Sequence, residues 1–244
     1  MFNQKIPLHF ENSNYLVKTV TDKQELLKVF KLRYDIFYKE FNHKKNFLKL
    51  DKDKFDDICD HLIIIEKSSG LIIGTYRLNC SLFTDKFYSS TEFDISNVLK
   101  LSGIKIELGR ACLLESYRKN SVLILLWRGI AEYSKIVGAK YLFGLSSVKQ
   151  IEESTALSLY DYLDKNYHSE IRVFPKKAFK AKEDVKSEFS LNLIPNLLKF
   201  YLRCGSLICG EPAYDKKLNC YDFFTILDLH STTKDIKEKF FNEI

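Results

Sequence analysis

Hydrophobic and polar residues follow a helical period near the start of the chain. Apolar side chains recur there every three or four positions, at Leu27, Phe30, Tyr34, Phe37 and Phe41. Such spacing is typical of a helix that buries one face. Thr21 and Gln24 have the spacing of a capping box, so we predict that they open this helix and that it runs to about Phe41.

Other segments change to the period of two that a half-buried strand shows. We predict strands at residues 15–20, 61–66, 71–80, around Glu107, and at 140–147, 171–174 and 219–229. Helices are predicted at residues 121–137, 152–166, 195–209 and 232–241. This order predicts an α/β fold with a mixed, mainly antiparallel sheet, a parallel crossover after the Glu107 strand, and flanking helices.

The predicted strand around Glu107 carries charges where apolar residues are expected. In Lys105-Ile106-Glu107-Leu108-Gly109-Arg110-Ala111-Cys112, a carboxylate and a guanidinium stand three positions apart. Strict alternation would send Glu107 and Arg110 to opposite faces of the strand. A glycine inside a strand often marks a β-bulge, which adds one residue and redirects the side chains that follow. We therefore predict a bulge at or near Gly109 that brings both candidate catalytic residues, Glu107 and Arg110, to one face.

Two further arginines lie inside ordered, apolar segments. Arg33 belongs to the predicted first helix and Arg77 to the predicted strand at 71–80. Each alone has an ordinary structural explanation, since an arginine can cap carbonyl groups or reach solvent. Together with Glu107 and Arg110, they are better explained by one shared site.

Composition and motifs exclude several classes of protein. A hydrophobic share of 45% excludes a disordered chain, and the most apolar run, 122–130, contains Arg128 and is too short to cross a bilayer. The chain starts without an apolar signal segment, so we expect a cytoplasmic protein whose cysteines stay reduced. The spacings of a phosphate-binding loop, a metal site and a basic nucleic-acid-binding helix are missing from the sequence. The net charge of +6 indicates an acidic partner, and charge alone does not choose among nucleic acid, an anionic membrane surface and an acidic carrier protein. Nucleic acid is disfavoured on a separate ground, because the lysines are spread among Asp and Glu.

Eight short segments resemble a known family. They are LRYDIF at 32–37, FDDICDHL at 55–62, GTYRL at 74–78, TEFD at 91–94, ELGR at 107–110, LWRGIA at 126–131, YLFG at 141–144 and GEPA at 210–213. In this order they resemble the GNAT-fold N-acyltransferases that use acyl carrier protein, most closely the ornithine N-acyltransferases of ornithine-lipid synthesis. Acyl-homoserine-lactone synthases are a more distant likeness. The resemblance implies a single GNAT-like domain, 1–244, with 176–230 as a family-specific C-terminal extension.

The resemblance also implies a reaction. A (3-hydroxy) fatty acyl group would pass from acyl carrier protein to the α-amine of an amino acid, with ornithine as the expected acceptor and a lyso-ornithine-lipid type product. No cofactor is expected to stay bound, because the donor's acyl-phosphopantetheine arrives on the carrier protein. Enzymes that use acetyl-CoA hold its pyrophosphate with a glycine-rich loop, whereas residues 117–122 are YRKNSV. Arg118 and Lys119 in this segment are instead expected to bind the acidic carrier protein.

Acyl transfer to an amine needs a base and a stabilised carbonyl oxygen. Glu107 is the candidate base, acting through a water, and a backbone N–H at the bulge is the candidate donor to the thioester carbonyl or the pantetheine arm. The arginines are expected either to orient the acceptor's carboxylate or to form ion pairs with nearby aspartates. In the first case the aspartates would instead bind a cationic side chain of the acceptor. The expected substrate-binding residues are Arg33, Phe37, Asp56, Asp57, Asp60, Arg77, Phe93 and Trp127.

Several alternatives stay open on the sequence alone. One alternative is that the acceptor is another amine, such as glycine or S-adenosylmethionine. Another is that the chain is a non-catalytic module that binds carrier protein or lipid. Segment 197–209 either touches the inner membrane surface or packs as a core helix. Aromatic residues such as Phe37, Phe93 and Trp127 either line an acyl chain or belong to the core.

Overall fold

The computed structural model describes residues 4–41, 47–118, 120–181, 187–232, 236 and 240. The strands are, in chain order, β1 (His9–Glu11), β2 (Tyr15–Thr19), β3 (Asp60–Glu66), β4 (Leu71–Cys80), β5 (Phe93–Asp94), β6 (Ile104–Leu113), β7 (Ala139–Lys149), β8 (Phe174–Pro175), β9 (Leu207–Ile208), β10 (Ala213–Asp215) and β11 (Cys220–Asp228). The α-helices are α1 (Lys23–Phe41), α2 (Ser96–Leu99), α3 (Asn120–Val137), α4 (Glu153–Tyr167) and α5 (Asn196–Arg203). Among these described elements, no helix combines the length and the apolar character needed to cross a bilayer.

The fold class agrees with the sequence-based prediction. Helices and strands are mixed, and the strand pairs are mainly antiparallel with one parallel pair. The chain divides into two compact units, and each is described by itself below. The first comprises Met1–Asp85, Ile104–Ala139 and Lys234–Ile244, and the second comprises Lys86–Gly103 and Lys140–Thr233. The single domain with an extension at 176–230 stays a prediction.

The first unit is an antiparallel sheet between two helices. Its strands pair in the order β1, β2, β3, β4 and β6. On one face, α1 packs against the sheet through a cluster that contains Phe30, Ile63 and Cys112. On the other face, Gly129 of α3 comes so close that an added Cβ would lie 2.8 Å from a methyl group of Leu62. Neighbouring β3 residues therefore contact different helices, as the alternation of a strand requires.

Two details of α1 differ from the prediction. Asp22, not Thr21, caps the helix, because its Oδ1 accepts hydrogen bonds from the backbone N–H groups of Gln24 and Glu25 at 2.8 and 2.9 Å. Glu25 accepts in return from Thr21. The second difference is Leu27, which was predicted to belong to the buried stripe but is 51% exposed.

The second unit contains the antiparallel strands β7, β11 and β10, with β9 also paired to β11. Two apolar clusters form its core, one around Phe143 and Phe224 and the other around Leu159 and Phe223. Helix α5 contributes to the second cluster, so its apolar face is part of a core. The structure thus supports the packed-helix interpretation of segment 197–209.

Two predicted elements near the C-terminus have other bounds in the structure, and a third lies mostly outside the described residues. The predicted strand at 171–174 is only the two-residue strand β8, and the predicted helix at 195–209 ends at Arg203, before Gly205 and β9. Of the predicted helix at 232–241, most residues lie outside the described part of the chain.

Candidate active site

A β-bulge brings Glu107 and Arg110 to one face of the first unit's sheet. Arg77 of β4 pairs with Gly109 of β6, and two positions earlier Thr75 pairs with Cys112, so β6 has one residue more than β4 in this interval. Because of this extra residue, side chains an odd number of positions apart on either side of it, such as those of Glu107 and Cys112, lie on the same face of the sheet. That face is the one that α1 covers. The residue in the left-handed conformation is Arg110, with φ +50°, and not Gly109. The predicted bulge is present, one position beyond the glycine.

Three arginines on this face bind three aspartates of one loop. Arg33 holds Asp56 with both terminal nitrogens, at 2.7 and 3.2 Å, and its Nε donates to Asp51 at 2.9 Å. Arg77 donates to Asp53 at 2.7 Å and to Asp56 at 3.1 Å. Arg110 donates to the second oxygen of Asp53 at 3.0 Å and lies 3.4 Å from Asp51. We name this set, Arg33, Asp51, Asp53, Asp56, Arg77 and Arg110, the arginine–aspartate network.

The network fastens the loop to three separate elements. Arg33 comes from α1, Arg77 from β4 and Arg110 from β6. Each guanidinium also lies over a phenylalanine ring, with centroid distances of 5.4 to 5.7 Å, and the rings are those of Phe30, Phe55 and Phe37 respectively. Phe37, a predicted acyl-chain contact, therefore supports Arg110.

Charge pairing keeps the buried aspartates ionised. Burial alone would raise the pKa of Asp56, but the Arg33 and Arg77 guanidinium groups outweigh it and hold that pKa far below its usual value. The pKa of Asp53 is lowered in the same way, with Arg77 as the main opposing charge to burial. The network thus carries fixed negative and positive charges at every pH near neutrality.

Glu107 lies beside an uncharged amide. It is buried and pairs across the strands with Asn79, which is buried as well. Nδ2 of Asn79 donates to Oε2 of Glu107 at 3.5 Å. A neutral donor orients a carboxylate without adding a counter-charge beside it. Asn79 therefore helps to hold the Glu107 carboxylate in place.

Two further buried groups near the network are held neutral. Burial lowers the pKa of His61 to about 4, in spite of the neighbouring Asp56. Its Nε2 lies 3.3 Å from the backbone oxygen of Asp56, so the imidazole helps to fix the loop. Burial also raises the pKa of the Cys59 thiol far above its usual value. Neither is positioned as a charged partner of a substrate.

Several predicted substrate-binding residues have other surroundings. Asp57 has an exposed side chain that pairs with Lys52 at 2.9 Å. Asp60 faces α3, where it accepts from Tyr133 Oη at 2.9 Å and from two backbone N–H groups near the chain start. Trp127 of α3 is buried near Phe240. These three residues lie apart from the arginine–aspartate network, and their substrate contacts stay predictions.

The remaining predicted site residues lie elsewhere. Phe93 belongs to the core of the second unit, where its ring centroid lies 5.8 Å from that of Phe224. Arg118 is exposed, and its Nε donates to the backbone oxygen of Leu113 at 3.0 Å. Lys119 lies outside the described residues. Their roles in acyl-chain and carrier-protein binding also stay predictions.

Sequence reasoning missed Asp51, Asp53 and Asn79. The aspartates stand in a polar stretch without a period, where nothing distinguishes a buried carboxylate from a solvated one. The sequence therefore offered no signal that would have selected Asp51 and Asp53. Asn79 follows Arg77 by two positions and so shares its face, a signal that strand alternation provides.

The second unit has its own group of buried carboxylates. One oxygen from each of Glu92, Asp215 and Asp222 lies within 4.8 Å of the other two. Ser147 donates through Oγ to Asp222, and Cys220 Sγ lies 3.8 Å from the same carboxylate. Burial and the Asp222 charge raise the pKa of Glu92 to about 9, so Glu92 keeps its proton at neutral pH. We name these residues the carboxyl group cluster.

Comparison with known proteins identifies the family and the fold. The Acetyltransferase (GNAT) domain family matches residues 32–128, which contain the whole arginine–aspartate network and Glu107. An L-ornithine N(alpha)-acyltransferase of Brucella abortus is 31% identical over 222 residues, 81% of this chain and 78% of that protein. One from Rhodobacter capsulatus is 27% identical over 92% of this chain and 94% of that protein.

A solved structure shows the same fold. The AHL synthase LasI covers 94% of this chain and 96% of its own length with a TM-score of 0.52 and 13% sequence identity. That likeness and the GNAT family match confirm the predicted GNAT-like fold. The protein is an acyltransferase. With a relative that is 31% identical over most of both sequences, the chain belongs to the L-ornithine N(alpha)-acyltransferase family.

Proposed function

We propose that the protein transfers a (3-hydroxy) fatty acyl group from acyl carrier protein to the α-amine of ornithine. The product would be an N-acylated amino acid of the lyso-ornithine-lipid type. The observation that carries the proposal is buried Glu107 on the same sheet face as the arginine–aspartate network, in a chain whose relatives are named L-ornithine N(alpha)-acyltransferases. We propose that the reaction takes place in the cytoplasm, at or near the membrane surface.

Glu107 is the proposed general base. The α-amine attacks the thioester carbonyl carbon, a C–N bond forms and the C–S bond breaks. Glu107 receives the amine proton through a water, and that proton then neutralises the departing phosphopantetheine thiolate. Asn79 keeps the carboxylate in place at 3.5 Å. Attack is direct, so no acyl group is attached to the enzyme.

The network prepares the surroundings of this step. Its internal pairing fixes the loop and the guanidinium groups before a substrate arrives, which supports a rigid site. Arg110 lies at the bulge, 17% exposed, and is the arginine of the network best able to reach an acceptor carboxylate. We propose that a backbone N–H beside the bulge holds the thioester carbonyl.

The donor is proposed to be acyl carrier protein. No glycine is present at 117–122, so the backbone there is poorly suited to cradle the pyrophosphate of CoA. Exposed Arg118 is followed by Lys119 in sequence, and a net charge of +6 favours an acidic partner. The acyl-phosphopantetheine of the carrier protein serves as the substrate, and no resident cofactor or nucleic acid is involved.

The test is a direct assay of acyl transfer. Purified protein is incubated with a 3-hydroxyacyl carrier protein and one amine in each reaction. The amines are ornithine, glycine, lysine and S-adenosylmethionine, and the products are identified by mass spectrometry. We expect N-acyl-ornithine as the main product. Acylation of another amine, or lactone formation, would overturn the proposed acceptor, and no thioester loss with any amine would favour a non-catalytic module.

A variant tests the proposed base. We expect Glu107→Gln to lower kcat about 100-fold or more, as is usual for loss of a general base. Carrier-protein binding and the melting temperature should change little. Glu115→Gln is the matched control, because Glu115 is exposed in the short helix that follows β6. Normal turnover by the Glu107 variant with saturating donor would exclude the assignment.

A further inference from the structure

Two neighbouring apolar side chains stand out in the loop that carries the network's aspartates. Phe47 is 100% exposed and Leu48 is 73% exposed, more than any other large apolar side chain in the described parts of the chain. Isolated exposed apolar residues are common, but an adjacent aromatic and aliphatic pair at a loop end is a local apolar surface. We name Phe47 and Leu48 the apolar tip.

The apolar tip projects from a firmly held base. Leu50, two positions after Leu48, already packs against the core between α1 and the sheet. Asp51 then donates through its backbone N–H to the oxygen of Phe30 at 3.0 Å and accepts from Arg33. Lys49, with φ +51°, makes the change of direction between tip and base. The exposed pair therefore extends beyond a rigid support.

Three exposed lysines follow the apolar tip in sequence. Lys49, Lys52 and Lys54 are exposed. Asp51 and Asp53, which alternate with them in sequence, turn inward to the arginines. The charges of Asp51 and Asp53 are thus used inside the protein, whereas Asp57 is exposed and pairs with Lys52 at 2.9 Å, so Lys49 and Lys54 carry most of the basic charge that the loop presents to solvent.

We propose that the apolar tip inserts into the interface of an anionic phospholipid bilayer, with Lys49, Lys52 and Lys54 contacting the headgroups. An exposed aromatic and a leucine, followed within six positions by three exposed lysines, combine the two attractions that hold proteins at such an interface. Exposure of 100% and 73% means that Phe47 and Leu48 lack the packing neighbours of a preformed pocket, which suits insertion into a bilayer. The purpose of the contact, delivery of an amphiphilic product, rests on the proposed function, whereas the contact itself does not.

The same loop links the bilayer to the site. Its aspartates bind Arg33, Arg77 and Arg110, so a bilayer contact at Phe47 and Leu48 would be transmitted to the base of the network. An acyl-amino-acid product has a long apolar chain that leaves water readily. Docking through this loop would therefore hold the arginine–aspartate network next to the phase that receives the product.

Vesicle binding by the full chain tests the inference. The wild type and a Phe47→Ser/Leu48→Ser variant are mixed, without substrates, with vesicles of phosphatidylcholine alone or of equal parts phosphatidylcholine and phosphatidylglycerol. We expect the wild type to bind the anionic vesicles and the variant to bind them about tenfold or more weakly, since two large apolar side chains are removed. The matched control is Leu27→Ser/Leu71→Ser, whose side chains are 51% and 49% exposed in the same unit and should matter less than twofold.

A fluorescence experiment locates the contact. Trp127, the one tryptophan of the chain, is buried, so a tryptophan introduced by Phe47→Trp reports on the tip. We expect its emission to shift to the blue and to be quenched by lipids brominated on their acyl chains. Leu71→Trp is the control and should show neither change.

The outcomes separate this inference from the proposed function. Equal vesicle binding by the wild type and the tip variant, or no binding by the wild type, overturns the inference even if ornithine is acylated. Loss of carrier-protein binding with unchanged vesicle binding would assign the tip to the carrier protein and also overturn it. Vesicle binding by a protein that acylates no amine would leave the inference intact and overturn the proposed function.

Discussion

Each unit brings three carboxyl groups together, and the pKa shifts of Asp53 and Asp56 in the first unit are opposite in direction to that of Glu92 in the second. In the first unit, Asp51, Asp53 and Asp56 meet three guanidinium groups, and the pKa values of Asp53 and Asp56 lie below normal. In the second unit, Asp222 accepts from a hydroxyl and a thiol, and the pKa of nearby Glu92 rises to about 9. Burial opposes ionisation in both places.

The difference shows what burial alone leaves undecided. Removing a carboxyl group from water disfavours its charged form wherever it occurs, so the local partner determines which form persists. The arginine–aspartate network stays charged and can orient polar substrates. In the carboxyl group cluster, Glu92 keeps its proton beside the charge of Asp222. Each prediction below changes one member of this comparison.

The largest effect is expected from Asp56→Asn. Arg33 and Arg77 both donate to Asp56, so the amide leaves two buried guanidinium groups without part of their counter-charge. We expect the free energy of unfolding to fall by about 3–5 kcal/mol, measured by urea denaturation. Asp57→Asn, at the exposed neighbour, is the control and should cost about 1 kcal/mol or less. Similar losses in the two variants would contradict the importance of the network.

Glu92→Gln tests the opposite side of the comparison. The unfolded carboxyl group ionises near pH 4.5, whereas the folded one keeps its proton to about pH 9. Between these values the folded state binds more protons, so this group lowers the free energy of unfolding as pH rises, by up to about 1.4 kcal/mol per pH unit. The glutamine variant should remove that fall and gain stability relative to the wild type at alkaline pH.

Denaturation of both proteins at a series of pH values checks this expectation. Asp56 does not make the free energy of unfolding depend on pH between pH 4.5 and 9. Because its pKa is lowered, the stabilisation from ionised Asp56 is fully present above pH 3.8 and is lost only as the pH falls further. Parallel stability curves for wild type and the Glu92 variant would show that Glu92 is ionised in the folded protein.

Asn79→Asp would reproduce in the first unit the like-charge contact of the second. A carboxylate beside Glu107 disfavours ionisation of the pair. We expect the acidic limb of the kcat/KM pH profile to move upward by about one pH unit, with a lower plateau. Asn79→Ala should lower kcat without the same movement. An unmoved limb in the Asp variant would argue against Glu107 as the titrating base.

The smallest effect concerns the left-handed backbone at the bulge. Arg110→Gly and Arg110→Ala both remove the contacts with Asp51 and Asp53, but only alanine has a Cβ at φ +50°. We expect the glycine variant to be more stable than the alanine variant by about 1 kcal/mol, measured by thermal or urea unfolding. The reverse order would mean that the bulge relaxes when the arginine is lost.

The sequence was sufficient for elements defined by local pattern. The hairpin of β3 and β4 matched its predicted bounds within one residue, because a Ser-Ser-Gly turn separates two apolar runs. Helix α3 did so as well, since an apolar period ends there at Gly138, whose φ is +66°. The bulge near Gly109 followed from the conflict between strand alternation and one shared face for Glu107 and Arg110.

The sequence was insufficient where partners are distant or equivalent. Thr21 and Asp22 are both good caps, so only geometry decides for Asp22. The carboxyl group cluster joins residues more than a hundred positions apart, at 92 and 222, and no local pattern records that approach. The pairing of individual arginines with Asp51 and Asp53 has the same cause, because charge type predicts attraction but not which carboxylate is reached.

The extra residue in β6 also constrains how this strand can change in length. Glu107 and Cys112 share a face although an odd number of positions separates them, and one unpaired residue between them makes that possible. Deleting one residue at 110–111 would exchange the two faces of everything that follows, turning core side chains toward α3 and the others toward α1. Inserting or deleting two residues together would leave each later side chain on its present face of the sheet. Relatives should therefore differ in this stretch by substitution far more often than by single-residue gaps. A redesign of the strand should change its length only by an even number of residues.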